Sequence, residues 1–357
     1  MTSVTSTSQL QKPVNVAFQE MFLRRAIPLL PYFAGTKAGA LMEHEGTATA
    51  KWRRTTELSG STTALSEITT ASYMQGRTAI QLAFTDITAT VLKYGEFVIL
   101  NNEVDVFNPN AQMAEVMEVL GEAAGKTLNA LQRNVAEDNL TAVRTGGAAS
   151  DGAIIQNIGL DNIKSVVNTL DRNDARTFAP LSTGSQNVGT LPIQEAYWGI
   201  CHPDVAVDLV ALTGFIDVQQ YAGQVDTVPG EFGTLPVAGT GVRFIRTSTS
   251  TIDAGAGAAV TSQDVNATSA QADVYNTVIY GRDALGSVGL GRAHSDGIFR
   301  AGDRMNFEII SKPFGSGGTS DPLDEIMTVG YKAWHAGAVL DSRWGRVIKS
   351  AATNLSN

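Results

Sequence analysis

The chain has 357 residues, enough to bury a substantial core in one large domain or two to three modest ones. Its apolar fraction of 43% is ordinary, but charged residues make up only 17%, where about a quarter is typical, so much of the surface is expected to be covered by something other than water. A net charge of −9 excludes a uniformly attractive field for nucleic acid, which needs a clustered basic face, and the single cysteine, Cys201, excludes an intrachain disulfide.

The opening "MTSVTSTSQLQKP" lacks the charged-then-apolar pattern of a signal peptide, and the apolar runs "FVIL" and "HAGAVL" fall short of a bilayer span, so a soluble, non-secreted protein is expected. Residues 1 to about 17 are rich in Ser, Thr and Gln. "FQEMFLRRAIPLLPYF" then places Phe18, Met21, Phe22 and Leu23 in an amphipathic turn or two, cut off by Pro28 and Pro31. Such an arm needs a surface to lie on.

From 46 to 100 the pattern changes to period two. "TATAKWRRTTEL" and "RTAIQLAFTDITATVLKYG" read as the two strands of a long hairpin with "SGSTTALSE" between them. Ile80, Leu82 and Phe84 share one face, and after Asp86 the apolar set moves to Ile87, Ala89 and Val91, the shift a bulge at Asp86 would cause. An isolated two-stranded hairpin is marginal in water, so this one is expected to rest on a neighbouring molecule. Lys51, Trp52, Arg53 and Arg54 resemble a nucleic-acid patch, but alternate strand residues face opposite ways, and ion pairs to Glu43, Glu45, Glu57 or Glu67 of another copy are the preferred expectation.

Met113, Val116, Met117, Leu120, Ala124, Leu128, Leu131 and Val135 follow helical spacing, with Pro109 before the start and Gly146 and Gly147 expected to stop it. The result is a single beam of about 35 residues, roughly 50 Å. A second helix is expected at "GLDNIKSVVNTLDRND", then a Gly/Ser linker at 181 to 192. "EAYWGICHPDVAVDLVALTGF" reads as a buried strand turning through His202-Pro203 into a helix. "GTLPVAGTGVRFIRTSTS" and "DVYNTVIYGRDALGSVGL" read as two strands around a low-charge linker, and "DRMNFEIISKPF" and the closing stretch as further strands. In that closing stretch Met327, Val329, Tyr331 and Ala333 alternate along one face.

Chemistry is hard to place. His44, His202, His294 and His335 are scattered without metal-ligand spacing, so no metal is expected. Cys201 and His202 are adjacent on a strand and point to opposite faces, which opposes a nucleophilic pair. "LDRNDART" starts like a calcium loop, but Ala175 stands where a ligand belongs, and a helix end is the expectation. "GSVGLGR" has the glycines of the dinucleotide fingerprint in reverse order, and no phosphate-binding loop is present. An enzyme or ligand-binding protein would have to use Cys201, His202, Asp204, Asp208 and Glu231, which form no recognisable arrangement; "GEFG" at 230 to 233 reads as a turn. No catalytic residue, cofactor or enzymatic activity is therefore expected.

The order of arm, hairpin, beam helix, mixed α/β region and returning strands resembles the major capsid proteins of tailed bacteriophages. "VLKYGEFVILNNEV", "YWGICHPDVAVDL", "GEFGTLPVAGTGVRFIRT", "VYNTVIYGRDALGSV" and "TSDPLDEIMTVGYKAWHAGAVLDSRWGRVIK" are similar to segments of the podophage-type coat protein family, in the family's order over most of residues 85 to 350.

The resemblance implies an α+β, HK97-like capsid fold: an N-terminal arm (1–45), an extended β-hairpin loop (46–95), a peripheral domain with a spine helix (96–192), an axial domain (193–299), and strands returning to the peripheral domain (300–357). It implies a virion protein that assembles in the host cytoplasm into hexamers and pentamers enclosing double-stranded DNA. A separate scaffolding protein is expected, because the arm has no room for a built-in scaffold, with portal and decoration proteins as further partners. Phe18, Phe22, Trp52, Arg53, Arg54, Arg77, Trp334 and Trp344 become the candidate inter-subunit contacts. A bacterial nanocompartment shell is the alternative on the same fold.

Overall fold

The computed structural model describes residues 30–40, 48–55, 82–103, 112–178, 194–221, 228–237, 239–260, 264–289, 307–316, 321–323 and 325–355. Phe18, Phe22 and Arg77, most of the expected arm, the far end of the hairpin and the 181–192 linker lie outside these residues.

A 3-10 turn at Pro31–Phe33 leads into β1 (Lys37–Ala40). Next come β2 (Thr49–Thr55), β3 (Phe84–Thr90) and, one residue later, β4 (Leu92–Asn101). Then follow α1 (Gln112–Asn139), β5 (Thr141–Arg144), α2 (Leu160–Arg172), β6 (Glu195–Cys201), α3 (Pro203–Val210) and the short β7 (Ile216–Asp217). The chain continues through β8 (Glu231–Val237), β9 (Thr240–Arg246), β10 (Ile252–Asp253), β11 (Ala267–Thr268), β12 (Gln271–Ala272) and β13 (Val274–Tyr280). It closes with β14 (Leu285–Gly289), β15 (Phe307–Lys312), β16 (Ile326–Val339) and β17 (Gly345–Ser350).

The larger sheet runs β5-β17-β13-β6-β9-β8-β7, with β10 on β13. Its central strands are apolar at consecutive positions, as strands covered on both faces must be. All of Val274–Tyr280 is buried. Tyr197, Val242, Phe244 and Ile279 face α2 and α3, which contribute Ile163, Val166, Val167, Leu170, Val205 and Leu209. Their neighbours Trp198, Ile200, Ile245, Val278 and Tyr280 face the other way, onto Tyr32 and onto Ala136 and Leu140 at the end of α1. Gly199 makes room for this packing: a Cβ there would stand 2.7 Å from the Phe244 ring.

In the smaller sheet β16 is the organising strand, pairing antiparallel with β4 over Ile326–His335, with β15 over Thr328–Ala333 and with β14 over Ala336–Val339. β1 adds to β14 in parallel. The period-two pattern of the closing stretch is realised here. Val329, Tyr331 and Ala333 pack on Met117, Leu120, Ala124 and Leu128 of α1, at the spacing that puts four side chains on one helix face.

Three expectations are corrected. Among the described residues the helix runs over 28 residues, about 42 Å, and ends at Asn139 rather than at Gly146. It ends at Asn139 because Thr141–Arg144 pair in parallel with Arg346–Lys349, and Gly146 and Gly147, at φ 67° and 69°, turn the chain after that strand. No bulge sits at Asp86: Thr49–Thr55 pair with Thr90–Phe84 in unbroken register, so the change of apolar face is a change of side chains on a regular ladder. The segments read as two strands hold four, with a turn at Gly239, φ 104°, between β8 and β9, and Asp283, φ 63°, between β13 and β14. The last strand, β17, lies between β5 and β13 in the larger sheet.

Candidate subunit-contact surface

The base of the hairpin is held within its own chain. On one face Trp52, Ala50, Ile87, Ala89 and Val91 pack on Ala336, Ala338 and Leu340. Trp52 is 7% exposed, and its ring lies over Gly286, where a Cβ would stand 3.1 Å from it. Arg54, on the same face, pairs with Asp341 Oδ2 at 2.7 Å and donates to the Leu340 carbonyl at 3.2 Å. Arg53 and Lys51 meet Asp86 across the opposite face, at 3.0 and 2.6 Å. Within the chain, the carboxylates paired with these basic residues are Asp86 and Asp341; Glu43, Glu45, Glu57 and Glu67 lie outside the described residues. Sequence reasoning missed Asp86 and Asp341 because each becomes a neighbour only through strand register.

Trp334 is half-buried with Lys93 Nζ 5.8 Å from its ring centroid, a cation–π contact at the sheet surface. Trp344 donates its indole N–H to the Asn173 carbonyl at 3.0 Å and lies under Arg176, binding the end of α2 to the sheet. Of the candidate contacts, Trp52, Arg54 and Trp344 therefore have structural work inside the chain, and Trp334 packs in part on the Trp52 cluster, while Arg53 reaches the surface paired with Asp86.

The face of the smaller sheet turned away from α1 is a surface that sequence reasoning did not single out. Directly paired residues of neighbouring strands share a face. Pairing of Ile326, Thr328, Gly330, Lys332 and Trp334 with Asn101, Ile99, Phe97, Gly95 and Lys93 puts these on one side, and Ile310 and Lys312 of β15 join them. Phe97 is 69% exposed, Ile99 57% and Ile326 42%. Gly330 lies beneath Phe97, where a Cβ would stand 2.8 Å from that side chain. The outcome is an apolar patch bordered by Lys93, Lys312 and Lys332; on the hairpin Leu82 and Phe84 are also exposed, with Arg53 over the Phe84 ring at 5.5 Å. A signal was present: four consecutive apolar residues, Phe97 to Leu100, on a strand require apolar surface on both faces.

The polar groups that an enzyme reading needs are consumed by the fold. Cys201 is buried, and burial pushes its thiol well above the usual range. His202 caps α3, accepting from the Asp204 N–H at 3.3 Å, and burial lowers its pKa. Asp204 accepts from the Tyr275 hydroxyl at 2.8 Å, and Asp208 takes both the hydroxyl and the N–H of Thr353. Glu231 is not in an open turn. It starts β8, fully buried, in a two-point pair with Arg243 at 2.7 and 2.8 Å, and accepts from the Tyr221 hydroxyl at 2.6 Å. Asp204 and Tyr275, with Asn266, Asp273 and Thr353, line an open depression of about 460 Å³. No cluster of His, Cys, Asp or Glu suited to a metal ion occurs among the described residues, and no helix there is long and apolar enough to cross a membrane.

No protein-family model matches the sequence, and no curated protein matches it. Solved structures do. The chain is similar to the capsid of Ralstonia phage GP4, with a TM-score of 0.60 at 12% identity over 91% of this chain and 89% of that one. It is similar to the capsid of cyanophage Pam1, with a TM-score of 0.56 at 12% identity over 93% of both chains. The acid-stable capsid of the Helicobacter pylori bacteriophage KHP30 matches with a TM-score of 0.50 at 10% identity, over 90% of this chain and 91% of that one. Across nearly its whole length, this chain has the fold of phage capsid proteins.

Proposed function

We propose that the chain is the major capsid protein of a tailed bacteriophage, assembling with copies of itself into the icosahedral head around a double-stranded DNA genome. The observation that carries this reading is the two-way match to the GP4 and Pam1 capsids, which extends over about nine-tenths of both chains in each case. The uncovered apolar face of the smaller sheet supports it, since a surface of this kind is stabilised by a neighbour. A nanocompartment shell has no comparable observation in its favour.

On this reading the fold is HK97-like. Residues 1–45 are the arm and 46–95 the extended loop reaching a neighbour; α1 is the spine of the peripheral domain. The axial domain is residues 193–299, built on β6 to β10 and β13 of the larger sheet, which β5 and β17 extend. Copies form hexamers and pentamers in the host cytoplasm with the help of a scaffolding protein, and portal and decoration proteins complete the virion. DNA is enclosed without sequence-specific contact, consistent with the acidic balance.

Negative-stain microscopy and sedimentation velocity on the chain, alone and with its scaffolding partner, test the proposal. Closed shells, tubes or capsomer-sized oligomers are expected. Deleting residues 1–30 or 55–70 is expected to leave a folded protein that assembles poorly. Assembly of both deletions at full yield, or a strict monomer even with the partner, would overturn the reading.

A further inference from the structure

The last turns of α1 meet the larger sheet through polar side chains. Asn129 accepts from the Tyr32 N–H at 3.1 Å and donates to the Thr249 hydroxyl, and Arg133 donates to the Thr249 carbonyl. The Tyr32 hydroxyl donates to Ser250 Oγ at 3.3 Å, which in turn donates to the Asn276 carbonyl at 2.9 Å. One turn after Arg133, Glu137 Oε2 accepts from Asn276 Nδ2 at 3.2 Å.

Two oxygens of that last contact are unmatched. Glu137 Oε1 and Asn276 Oδ1 are both shielded from solvent and both without a hydrogen-bond partner, as is the hydroxyl of Thr251, a donor group beside the Glu137 carboxyl, and Asn276 is 4% exposed. An ionised carboxylate only accepts, so it cannot satisfy the amide oxygen, and an unmade bond of this kind is costly in a buried place. A neutral carboxyl removes both defects. Its O–H, on Oε1, donates to Asn276 Oδ1 while Asn276 Nδ2 donates to Oε2, which closes a two-point acid–amide pair. Turning the amide over would set Oδ1 against Oε2, and a bond there also requires a proton on Glu137.

We propose that Glu137 is protonated in the folded chain and forms this pair with Asn276, making the contact between α1 and β13 a proton-dependent latch. The ionisable groups facing it are Arg133 on its own helix and Tyr32 on the neighbouring turn; Thr251 and Asn276, on the sheet side, carry no charge. Burial pushes the Glu137 carboxyl above its ordinary range, and Thr251, Asn276 and Arg133, which pull the other way, are outweighed. For an acid whose folded pKa is raised, the stability contribution is complete below the unfolded value and is lost as pH rises through the folded one. Rising pH therefore loosens the seam that also holds Tyr32, where the N-terminal segment joins the body. The inference is independent of the shell reading.

Glu137→Gln supplies the same two-point pair with no proton to lose. Thermal unfolding of the full-length variant and parent, at equal concentration from pH 5 to 8, is expected to show the variant higher by about 2 to 4 °C at pH 8, with the gap closing toward pH 5. Infrared spectroscopy of the parent near neutral pH is expected to show a protonated-carboxyl C=O band that is absent from the variant. A variant no more stable than the parent at pH 8, or no such band in the parent, would overturn the latch.

Discussion

The two sheets solve the burial problem differently. The larger sheet is closed, with α2 and α3 on one face, and Tyr32 and the end of α1 on the other, and even its buried charges, Glu231 and Arg243, satisfy one another. The smaller sheet is covered by α1 on one face, while on the other the hairpin base covers only the Ala336–Leu340 end and leaves Phe97, Ile99 and Ile326 open. Both are fed by apolar strands of comparable quality. The first unit is covered on both faces within one chain, whereas the second keeps large apolar side chains exposed on part of one face.

The largest way to break this comparison is to open the closed sheet. Glu231→Ala leaves the Arg243 guanidinium, 3% exposed, without its carboxylate, and a loss of about 3 to 5 kcal/mol in urea unfolding is expected. A loss below about 1 kcal/mol would mean that the pair is not what holds β8 to β9.

Next comes acid. His335 on β16 is 4% exposed beside Phe33, with Nε2 unpartnered, and burial holds its pKa down to about 4. The unfolded imidazole, near 6.5, takes up a proton first, so stability is lost as pH falls between those values, by roughly 3 kcal/mol in all. His335→Leu is expected to flatten this slope in stability measured between pH 7 and 4, and an unchanged slope would place the acid sensitivity elsewhere. This runs opposite to Glu137, whose seam weakens as pH rises.

The smallest effect on stability sharpens the comparison most. Phe97→Ser with Ile99→Ser removes apolar groups that already face water, so unassembled stability should move by no more than about 0.5 kcal/mol per site. Assembly, followed by light scattering, should be severely reduced. A variant that assembles as the parent does would show that the open face is not a contact.

The elements with strong periodicity were legible in the sequence. Met327, Val329, Tyr331 and Ala333 face one way because strand side chains alternate, and Met117, Leu120, Ala124 and Leu128 align because a helix repeats every 3.6 residues. His202-Pro203 starts α3 where read, and "LDRND" ends α2. Local geometry alone decides these. The resemblance implied an order of arm, loop and spine, but it gave no account of which surfaces lie open.

Only the tertiary structure decided the rest, because the rest depends on register and on partners far away in the chain. Asp341 answers Arg54 across 287 residues, since β14 and β16 bring the hairpin base to the end of the long strand. The helix stops at Asn139 because β17, some 200 residues later, offers a parallel edge to Thr141–Arg144. Glu231, read as a turn residue, became a buried ion-pair partner once β9 laid Arg243 beside it. The sequence by itself determined which segments are strand or helix and that part of the surface is too apolar for water. Which faces those segments bury, and which face stays open, followed from the hydrogen-bond register between distant strands, an interaction no local pattern encodes.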